Sequence, residues 1–375
     1  MATKKKSEKK NAVDFTLFLA IMILVFIGII MVFSASWPEA MQKFDNGYYF
    51  LRKQIISASI GFIALIILMN FDYRYYKKFA FPIFVMAIIL GFLIFSPLGV
   101  EEKGARRWLQ IFGFRFMPSD LIKLASIIFF AAYLSNKKNE IPTLLRGTIP
   151  GLFIIGISCS LIYFQKDLGT TVVLASTMIA MFFVAGMRIP HLIGLGAGAG
   201  GFLYLAITSE GNEYRLERIT AFMDPFADKL DTGWQAVQSL YAIGSGGLFG
   251  LGLGKSRQKF FYIPESYNDF IFSIIGEELG FLGAFGVIFL LLIVVWRGIV
   301  IALKVEDTFA CFLATGIIAL IAIQSLVHIA VVTSSIPTTG ITLPFVSYGG
   351  TSLVINLAAI GILLNISRHA NLERS

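Results

Sequence analysis

Apolar runs dominate this chain and restrict what it can fold into. Ten of them reach or approach the roughly 20 residues that an α-helix needs to cross a bilayer. They lie near residues 15–33, 55–69, 79–95, 121–134, 148–164, 169–185, 189–207, 270–295, 308–332 and 346–364. Of the 375 residues only 14% are charged, against roughly 25% in a soluble domain. The sequence therefore excludes an ordinary water-soluble fold and predicts an all-α polytopic membrane protein with ten transmembrane helices.

Lysine and arginine cluster between the runs, and the clusters predict the orientation of the helices because short basic loops stay in the cytoplasm. The first cluster is the basic amino-terminal tail, and after it every second connection between runs is basic. The residues of these connections are Arg74, Lys77, Lys78, Lys137, Lys138, Arg146, Arg188, Arg297 and Lys304. These clusters also account for the formal net charge of +8, so we expect no nucleic-acid partner. An even number of helices places both termini in the cytoplasm.

This topology divides the chain into a cytoplasmic tail at residues 1–14, a membrane domain at 15–364 and a second cytoplasmic tail at 365–375. The long connections, residues 96–120 and 208–268, then lie outside, and the second forms a large extracytoplasmic loop between helices 7 and 8. Long loops carry function more often than short ones. Around residues 216–223 the pattern fits either an amphipathic surface helix or a plain packing helix.

One further apolar stretch, residues 234–253, could be an eleventh helix, which would invert everything after it. It contains Gly244, Gly246, Gly247, Gly250 and Gly252. Each glycine costs a helix about 0.8 to 1 kcal/mol relative to alanine. We therefore expect a re-entrant or protein-buried segment, which is tolerated at membrane depth when it is shielded from lipid.

Ionisable residues within the runs are candidates for function, because a charge at the centre of a membrane helix costs about 2.5 to 3.5 kcal/mol. Lys123 follows Asp120 by three residues, so an intrahelical ion pair and a functional role are both open. Asp167 precedes a run, which favours a helix cap over catalysis. Glu277 and Glu278 favour a structural hydrogen bond or an ion pair with another helix.

Glu265 and Asp269 stand where the eighth run begins, and two interpretations are open. Acids at a helix start can simply stabilise its positive end, by about 0.3 to 1 kcal/mol each. Alternatively, Asp269 lies at the lip of a span beside a polar loop that contains Lys255, Arg257 and Lys259, so that a base and an anionic ligand could meet there.

Other patterns carry little chemistry. Cys159 and Cys311 lie inside runs and the three histidines are scattered, so neither a disulfide framework nor a zinc site is predicted. Residues 196–201 formally fit G-x-G-x-x-G, but they lie within a run with no strand before them, where small residues serve helix packing.

Six motifs occur in order along the chain, at residues 105–109, 118–123, 233–240, 244–254, 264–280 and 343–350. Together they resemble those of the SEDS family of shape, elongation, division and sporulation proteins, the FtsW, RodA and SpoVE group of bacterial cell-wall polymerases. The resemblance runs from the first span to the last. It implies ten transmembrane helices in the cytoplasmic membrane. It also implies a glycosyltransferase that polymerises lipid II, the undecaprenyl-diphosphate-linked disaccharide-pentapeptide, on the outer face.

The resemblance also implies roles for individual residues. Asp269 matches the family's essential aspartate and is the expected catalytic residue. Arg107 and Lys123 look like the basic residues required in the first outer loop and the fourth helix. The expected substrate-binding residues are Arg106, Arg107, Lys123, Lys255, Arg257, Lys259 and Glu265.

The expected reaction has two charge problems. The 4-hydroxyl of one sugar must lose its proton, which a positioned carboxylate such as Asp269 can accept. The leaving undecaprenyl diphosphate is a stable anion, so it needs cations rather than an acid. A single displacement converts the donor's α-linkage into a β-1,4 bond. A divalent cation, Mg²⁺ or Mn²⁺, could bridge carboxylate and diphosphate, but no ligand cluster requires a metal.

Several matters stay open on the sequence. Two alternatives to polymerisation are a lipid II flippase and a noncatalytic scaffold for a penicillin-binding protein. The resemblance implies a class B penicillin-binding protein as partner, besides membrane lipid, but does not distinguish division, elongation and sporulation. The chain departs from the family pattern at Met117, Lys166, His328, Ser334 and Thr338.

Overall fold

The computed structural model describes residues 12–102, 104–111, 114–208, 218, 220, 222–226 and 233–371. Its helices are α1 (Phe15–Phe44), α2 (Tyr49–Asn70), α3 (Arg74–Lys78), α4 (Ala80–Phe92), α5 (Pro118–Asn136), α6 (Ile149–Phe164), α7 (Leu168–Val184), α8 (Ile189–Thr208), α9 (Trp234–Ser245), α10 (Ile271–Lys304), α11 (Thr308–Val332) and α12 (Gly350–Ser367). Of the helix suggested around residues 216–223, the structure describes residues 218, 220, 222 and 223, and the other four lie outside the described residues.

Each of the ten predicted runs overlaps one of these helices. In the described part of the chain, eight helical segments are long and apolar enough to cross a bilayer. The helical segment Ala80–Phe95 and α7 are apolar but shorter. Large apolar side chains such as Phe285 and Phe289 are exposed, whereas Gln54, Glu277 and Glu278 are buried. This distribution is that of a protein whose surface faces lipid.

The prediction of an all-α protein was wrong in one place, the connection between α4 and α5. Three antiparallel strands form a small sheet there in the order β1 (Gly99–Glu102), β2 (Ala105–Ile111) and β3 (Phe114–Phe116). Trp108 pairs with Val100, and Leu109 is completely buried. Trp108 is aromatic and Val100 is β-branched, and residues of these two types suit a half-buried pleated surface.

The helices alternate between two ends of the bundle. At one, which we call the Asp14 end, the Asp14 backbone N–H donates to Ser367 Oγ over 3.1 Å, and Arg297 Nη2 lies 2.6 Å from Asp14 Oδ2. Lys77 Nζ donates to Ser135 Oγ over 2.9 Å at the same end. The predicted cytoplasmic loops are thus grouped together, and the side of the membrane that they face stays a prediction.

Residues 234–263 form a side hairpin that enters and leaves at the opposite end. Helix α9 follows the start of α10: Ser239 Oγ lies 2.7 Å from Ser273 Oγ, and a Cβ on Gly246 would lie 1.9 Å from the carbonyl oxygen of Gly276. The chain then turns back beside α1, where Lys259 Nζ donates to Ser34 Oγ over 3.2 Å. This shape agrees with a re-entrant segment rather than an eleventh helix.

The side hairpin is bonded to a break in α10. Gly280 has φ 67° and ψ −166°, outside the helical region. The break frees the carbonyl groups of Glu277 and Glu278, which accept from the N–H groups of Leu251 (2.9 Å) and Gly252 (3.0 Å). Non-helical backbone at membrane depth is viable because its polar groups are bonded within the protein.

Candidate active site around Asp269

Asp269 stands two residues before α10, in a tight turn. The N–H groups of Asn268 and Asp269 both lie near the carbonyl oxygen of Glu265, at 2.9 and 3.3 Å. Glu265 has φ 51°, a left-handed conformation that is uncommon for residues other than glycine. The turn leaves Asp269 half-buried, so its carboxylate can meet both protein and solvent.

The segment before α12 braces this turn. The N–H of Tyr348 donates to the carbonyl oxygen of Tyr267 over 3.0 Å, and Ser347 Oγ donates to that of Asn268 over 2.8 Å. Gln54 Nε2, on α2, donates in turn to the carbonyl oxygen of Ser347 over 3.3 Å. The backbone that carries Asp269 is therefore fixed by elements distant in sequence.

Two tyrosines of the brace stay protonated at neutral pH. Burial raises the pKa of the Tyr267 hydroxyl, and the charges of Glu39 and Glu265 raise it further. Burial also raises the pKa of Tyr348, to about 12. The Tyr267 hydroxyl consequently acts as a donor, and it lies 3.3 Å from Glu39 Oε1.

Gly340 lies against the carboxylate of Asp269. A Cβ at this glycine would lie 3.4 Å from Asp269 Oδ2, and its φ of +72° suits a residue without a side chain. On the other side, the carbonyl oxygen of Thr339 would lie 3.0 Å from a Cβ on Gly169, at the start of α7. The backbone at 339–340 thus separates Asp269 from α7.

Arg107 binds the turn that leads into α7. Its Nη2 donates to the carbonyl oxygen of Lys166, which has φ 58°, and Lys166 Nζ donates back to the carbonyl oxygen of Gly104 over 3.1 Å. The next residue, Asp167, accepts from the N–H and hydroxyl of Thr170, at 3.0 and 2.9 Å, so the predicted helix cap is confirmed. Arg107 Nε is buried with no partner among the described residues.

Lys123 and Asp120 form the intrahelical ion pair that was one of the two interpretations of this spacing. Lys123 Nζ lies 2.9 Å from Asp120 Oδ1, and the side chains are only 7% and 8% exposed.

Arg106, in contrast, is exposed to solvent. It forms an ion pair with Glu101 over 3.1 Å in which both side chains are about half exposed. Exposed pairs of this kind contribute about 0 to 1 kcal/mol.

The basic residues of the side hairpin lie away from Asp269. Lys259 Nζ forms a buried ion pair with Glu278 Oε1 over 2.8 Å, and Glu277 Oε1 accepts from the N–H of Arg257 over 2.8 Å. The structural hydrogen bonds expected for Glu277 and Glu278 are thereby confirmed, and the ion pair of Glu278 is with the hairpin rather than with another helix. These acids follow Asp269 by eight and nine residues, which is roughly 12 to 14 Å at the helical rise of about 1.5 Å per residue. Lys255 and Arg257 are exposed near the turn of the hairpin.

The contacts of Gly340 with Asp269 were not predicted from the sequence. The run of small polar residues before Gly340 signals a turn, but nothing local indicates that the turn faces an acid of another segment. Among the described residues, no group of three or more His, Cys, Asp or Glu side chains could hold a metal ion.

Comparisons with known proteins agree over nearly the whole chain. Residues 15–372 match a family of cell cycle proteins that comprises FtsW, RodA and SpoVE. The chain is 46% identical to stage V sporulation protein E of Bacillus subtilis over 96% of this chain and 99% of that one. It is 42% identical to the probable peptidoglycan glycosyltransferase FtsW of Geobacter sp. strain M18, over 94% and 96% of the two chains.

A solved structure has a similar fold. It is the structure of a peptidoglycan synthase complex that coordinates polymerization and crosslinking. One of its chains superposes with a TM-score of 0.79 and 26% identity, covering 96% of this chain and 99% of that chain.

Proposed function

The chain belongs to the FtsW, RodA and SpoVE family, and we propose that it is a peptidoglycan glycosyltransferase that polymerises lipid II into β-1,4-linked glycan strands. The observation that supports this reaction class is the 42% identity, over 94% of this chain, to a protein named as a probable peptidoglycan glycosyltransferase. The chain is a multi-pass protein of the cytoplasmic membrane, and we place the reaction at its outer face. The orientation predicted from the basic loops supports that side, because Asp269 lies at the end opposite to them.

Asp269 is the proposed general base. A half-exposed carboxylate in a braced turn can accept a proton from the attacking sugar hydroxyl without itself moving, which is the condition for efficient proton transfer. Glu265 lies four residues earlier and supports substrate binding beside it. If a divalent cation takes part, Asp269 and Glu265 are the carboxylates that would hold it, since Mg²⁺ commonly uses one or two carboxylates together with substrate phosphates.

Arg107 is the proposed main cation for the leaving diphosphate. Its guanidinium is matched to no carboxylate among the described ion pairs, and Nε is an unused donor in a planar fork that suits phosphate oxygens. Lys123 is buried, and its charge is already paired with that of Asp120. Arg106, Lys255 and Arg257 are exposed and would act on parts of the substrate outside the reacting centre, whereas Lys259 would act through the fold of the side hairpin.

The similarity to a chain of a synthase complex that polymerises and cross-links supports a penicillin-binding protein as partner. We propose the class B type, a transpeptidase that would cross-link the strands made here. Because the reaction needs only a carboxylate and cations, we expect the chain to have polymerase activity when lipid II is supplied in vesicles, and the partner to change its rate.

The test is a polymerisation assay with purified protein, labelled lipid II and gel separation of glycan strands, with and without the partner. Asp269→Asn should lower the rate by about 10² to 10⁴-fold, the usual contribution of a positioned base. Asp45→Asn, a change of the same kind at an exposed acid, should keep the rate of the unchanged protein. Full polymerisation by Asp269→Asn would remove Asp269 as base. Transfer of labelled lipid II across vesicles without polymerisation would favour a flippase.

A further inference from the structure

Residues 339–342, the segment that lies between Asp269 and α7, have no regular secondary structure. Backbone carbonyl groups in such a segment lack the partners that a helix or a sheet would supply, and they must be satisfied by other groups. Two of the carbonyl groups in this segment accept hydrogen bonds from side chains of α11. His328 Nδ1 lies 2.7 Å from the carbonyl oxygen of Ile341, and Gln324 Nε2 lies 3.0 Å from that of Thr342.

The bond at Ile341 fixes the protonation pattern of His328. A carbonyl oxygen only accepts, so Nδ1 must carry the hydrogen, and in the neutral ring Nε2 is then an acceptor. His328 is completely buried, and Nε2 has no partner among the described residues. Gln324 is in the same situation, since its Oε1 is also buried without a described partner. Each side chain therefore donates one hydrogen bond to a backbone carbonyl oxygen. Its second polar atom is buried without a described partner, which is costly.

The residue bonded by His328 is adjacent to the one that faces the carboxylate. Gly340 approaches Asp269 Oδ2, and Thr339 contacts the start of α7, whose preceding turn binds Arg107. A shift of Ile341 would therefore move the wall between the proposed base and the proposed cation. Misplacement of reacting groups by about 1 Å can cost roughly 100-fold in rate.

We propose that His328 is a positioning residue for Asp269. Its Nδ1–H group holds Ile341, and through Ile341 the backbone at Gly340, so that the carboxylate keeps the place from which it accepts the sugar proton. The role needs a buried hydrogen-bond donor and not a titrating imidazole. This inference rests on the proposed function, since positioning has a meaning only if Asp269 acts as the base.

The experiment compares full-length His328 variants in the lipid II assay, each with kcat and KM. His328→Leu and His328→Met remove the donor, and methionine fills irregular space well. His328→Asn keeps an amide donor. His369→Leu is the control, because His369 Nδ1 also contacts a backbone carbonyl oxygen, that of Asn365, but at the Asp14 end.

The donor-less variants should lose about tenfold or more in kcat with KM nearly unchanged, the signature of an interaction that acts in the transition state. His328→Asn should recover most of kcat, and His369→Leu should keep it. Full kcat in a donor-less variant, equal losses with Asn and Leu, or a change confined to KM would overturn the proposal. So would donor-less variants that do not fold while the Asn variant does, because the bond would then serve stability alone.

Failure of the proposed function gives a different result. If Asp269→Asn polymerises lipid II normally, the base assignment fails whatever the His328 variants do. If Asp269→Asn is inactive and His328→Leu is fully active, only the positioning role fails.

Discussion

Lys259 Nζ lies 2.8 Å from Glu278 Oε1, and the two side chains are 4% and 0% exposed. The pair joins the returning arm of the side hairpin to α10 at its break. Glu278 also accepts from the N–H groups of Gly254 and Ser256, at 3.0 and 3.2 Å, and Lys259 Nζ donates to the carbonyl oxygen of Gly254 over 2.7 Å. A buried ion pair persists only when further hydrogen bonds satisfy both charges, and this one has them.

Removing one partner of this pair should therefore destabilise the protein strongly. Lys259→Met leaves Glu278 buried and unpaired, a change that costs about 3 to 5 kcal/mol. Thermal unfolding in detergent measures the loss. Lys255→Met, at an exposed lysine of the same hairpin, should change stability by no more than about 0.5 kcal/mol. The double variant Lys259→Met/Glu278→Gln should recover part of the loss; a Lys259→Met protein as stable as the unchanged one would contradict the pair's importance.

Neighbouring arginines should differ sharply in the polymerisation assay. Arg107→Gln removes the proposed cation for the diphosphate and the bond to the carbonyl oxygen of Lys166, so we expect a loss of about 10² to 10³-fold in kcat, as for one donor to a developing anion. Arg106→Gln breaks an exposed ion pair with Glu101 and removes a contact with the substrate outside the reacting centre, so kcat should fall far less than in Arg107→Gln. Arg107→Lys should recover little, because an ammonium group lacks the planar fork. Equal effects at the two positions would argue against the assignment.

Gly340→Ala tests the contact with Asp269. The new methyl group would place apolar surface against Oδ2 of a carboxylate that must accept a proton, so kcat should fall. Gly340→Val adds a larger side chain and should lower kcat further. Both changes also strain a left-handed backbone by about 1 to 2 kcal/mol. Gly186→Ala controls for that strain, because Gly186 has φ +87° and no atom within 4 Å of the added Cβ. The prediction is wrong if the two alanine variants have the same kcat.

The close packing of α9 on α10 gives a stability test with a matched pair of glycines. A methyl group on Gly246 would lie 1.9 Å from the carbonyl oxygen of Gly276, so Gly246→Ala forces backbone to move and should cost about 1 to 3 kcal/mol. Gly244, two residues earlier and exposed near the end of α9, has open space around its Cβ position. Gly244→Ala should stabilise by about 0.5 to 1 kcal/mol. Comparable unfolding temperatures for both variants would contradict this packing.

The features that the sequence predicts are those set by near neighbours. Apolar length locates a helix at each of the ten runs. The cap at Asp167 and the pair between Asp120 and Lys123 involve residues three apart. Contacts between distant segments were not predictable in the same way. Lys259 looked like a free cation because its partner, Glu278, belongs to another element, and one chain gives no signal for that pairing.

The site shows the same division. Asp269 could be singled out because an acid at the lip of an apolar run is unusual, and because its motif resembles those of a known family. Its surroundings could not, because they depend on the packing of α11 and of the segment before α12. Gly340 lies against its carboxylate, while His328 and Ser347 bond the backbone on either side. The sheet at β1 to β3 was missed for a related reason: its strands are short, and their pairing depends on burial over α5.

The break in α10 constrains the order of events during synthesis. The N–H groups of Leu251 and Gly252 find their acceptors at Glu277 and Glu278, which the ribosome adds later. Until those carbonyl groups exist, the N–H groups of Leu251 and Gly252 have no partner that could replace water, and their entry into hydrocarbon is unfavourable. We therefore expect the hairpin to enter the bilayer together with α10 rather than before it.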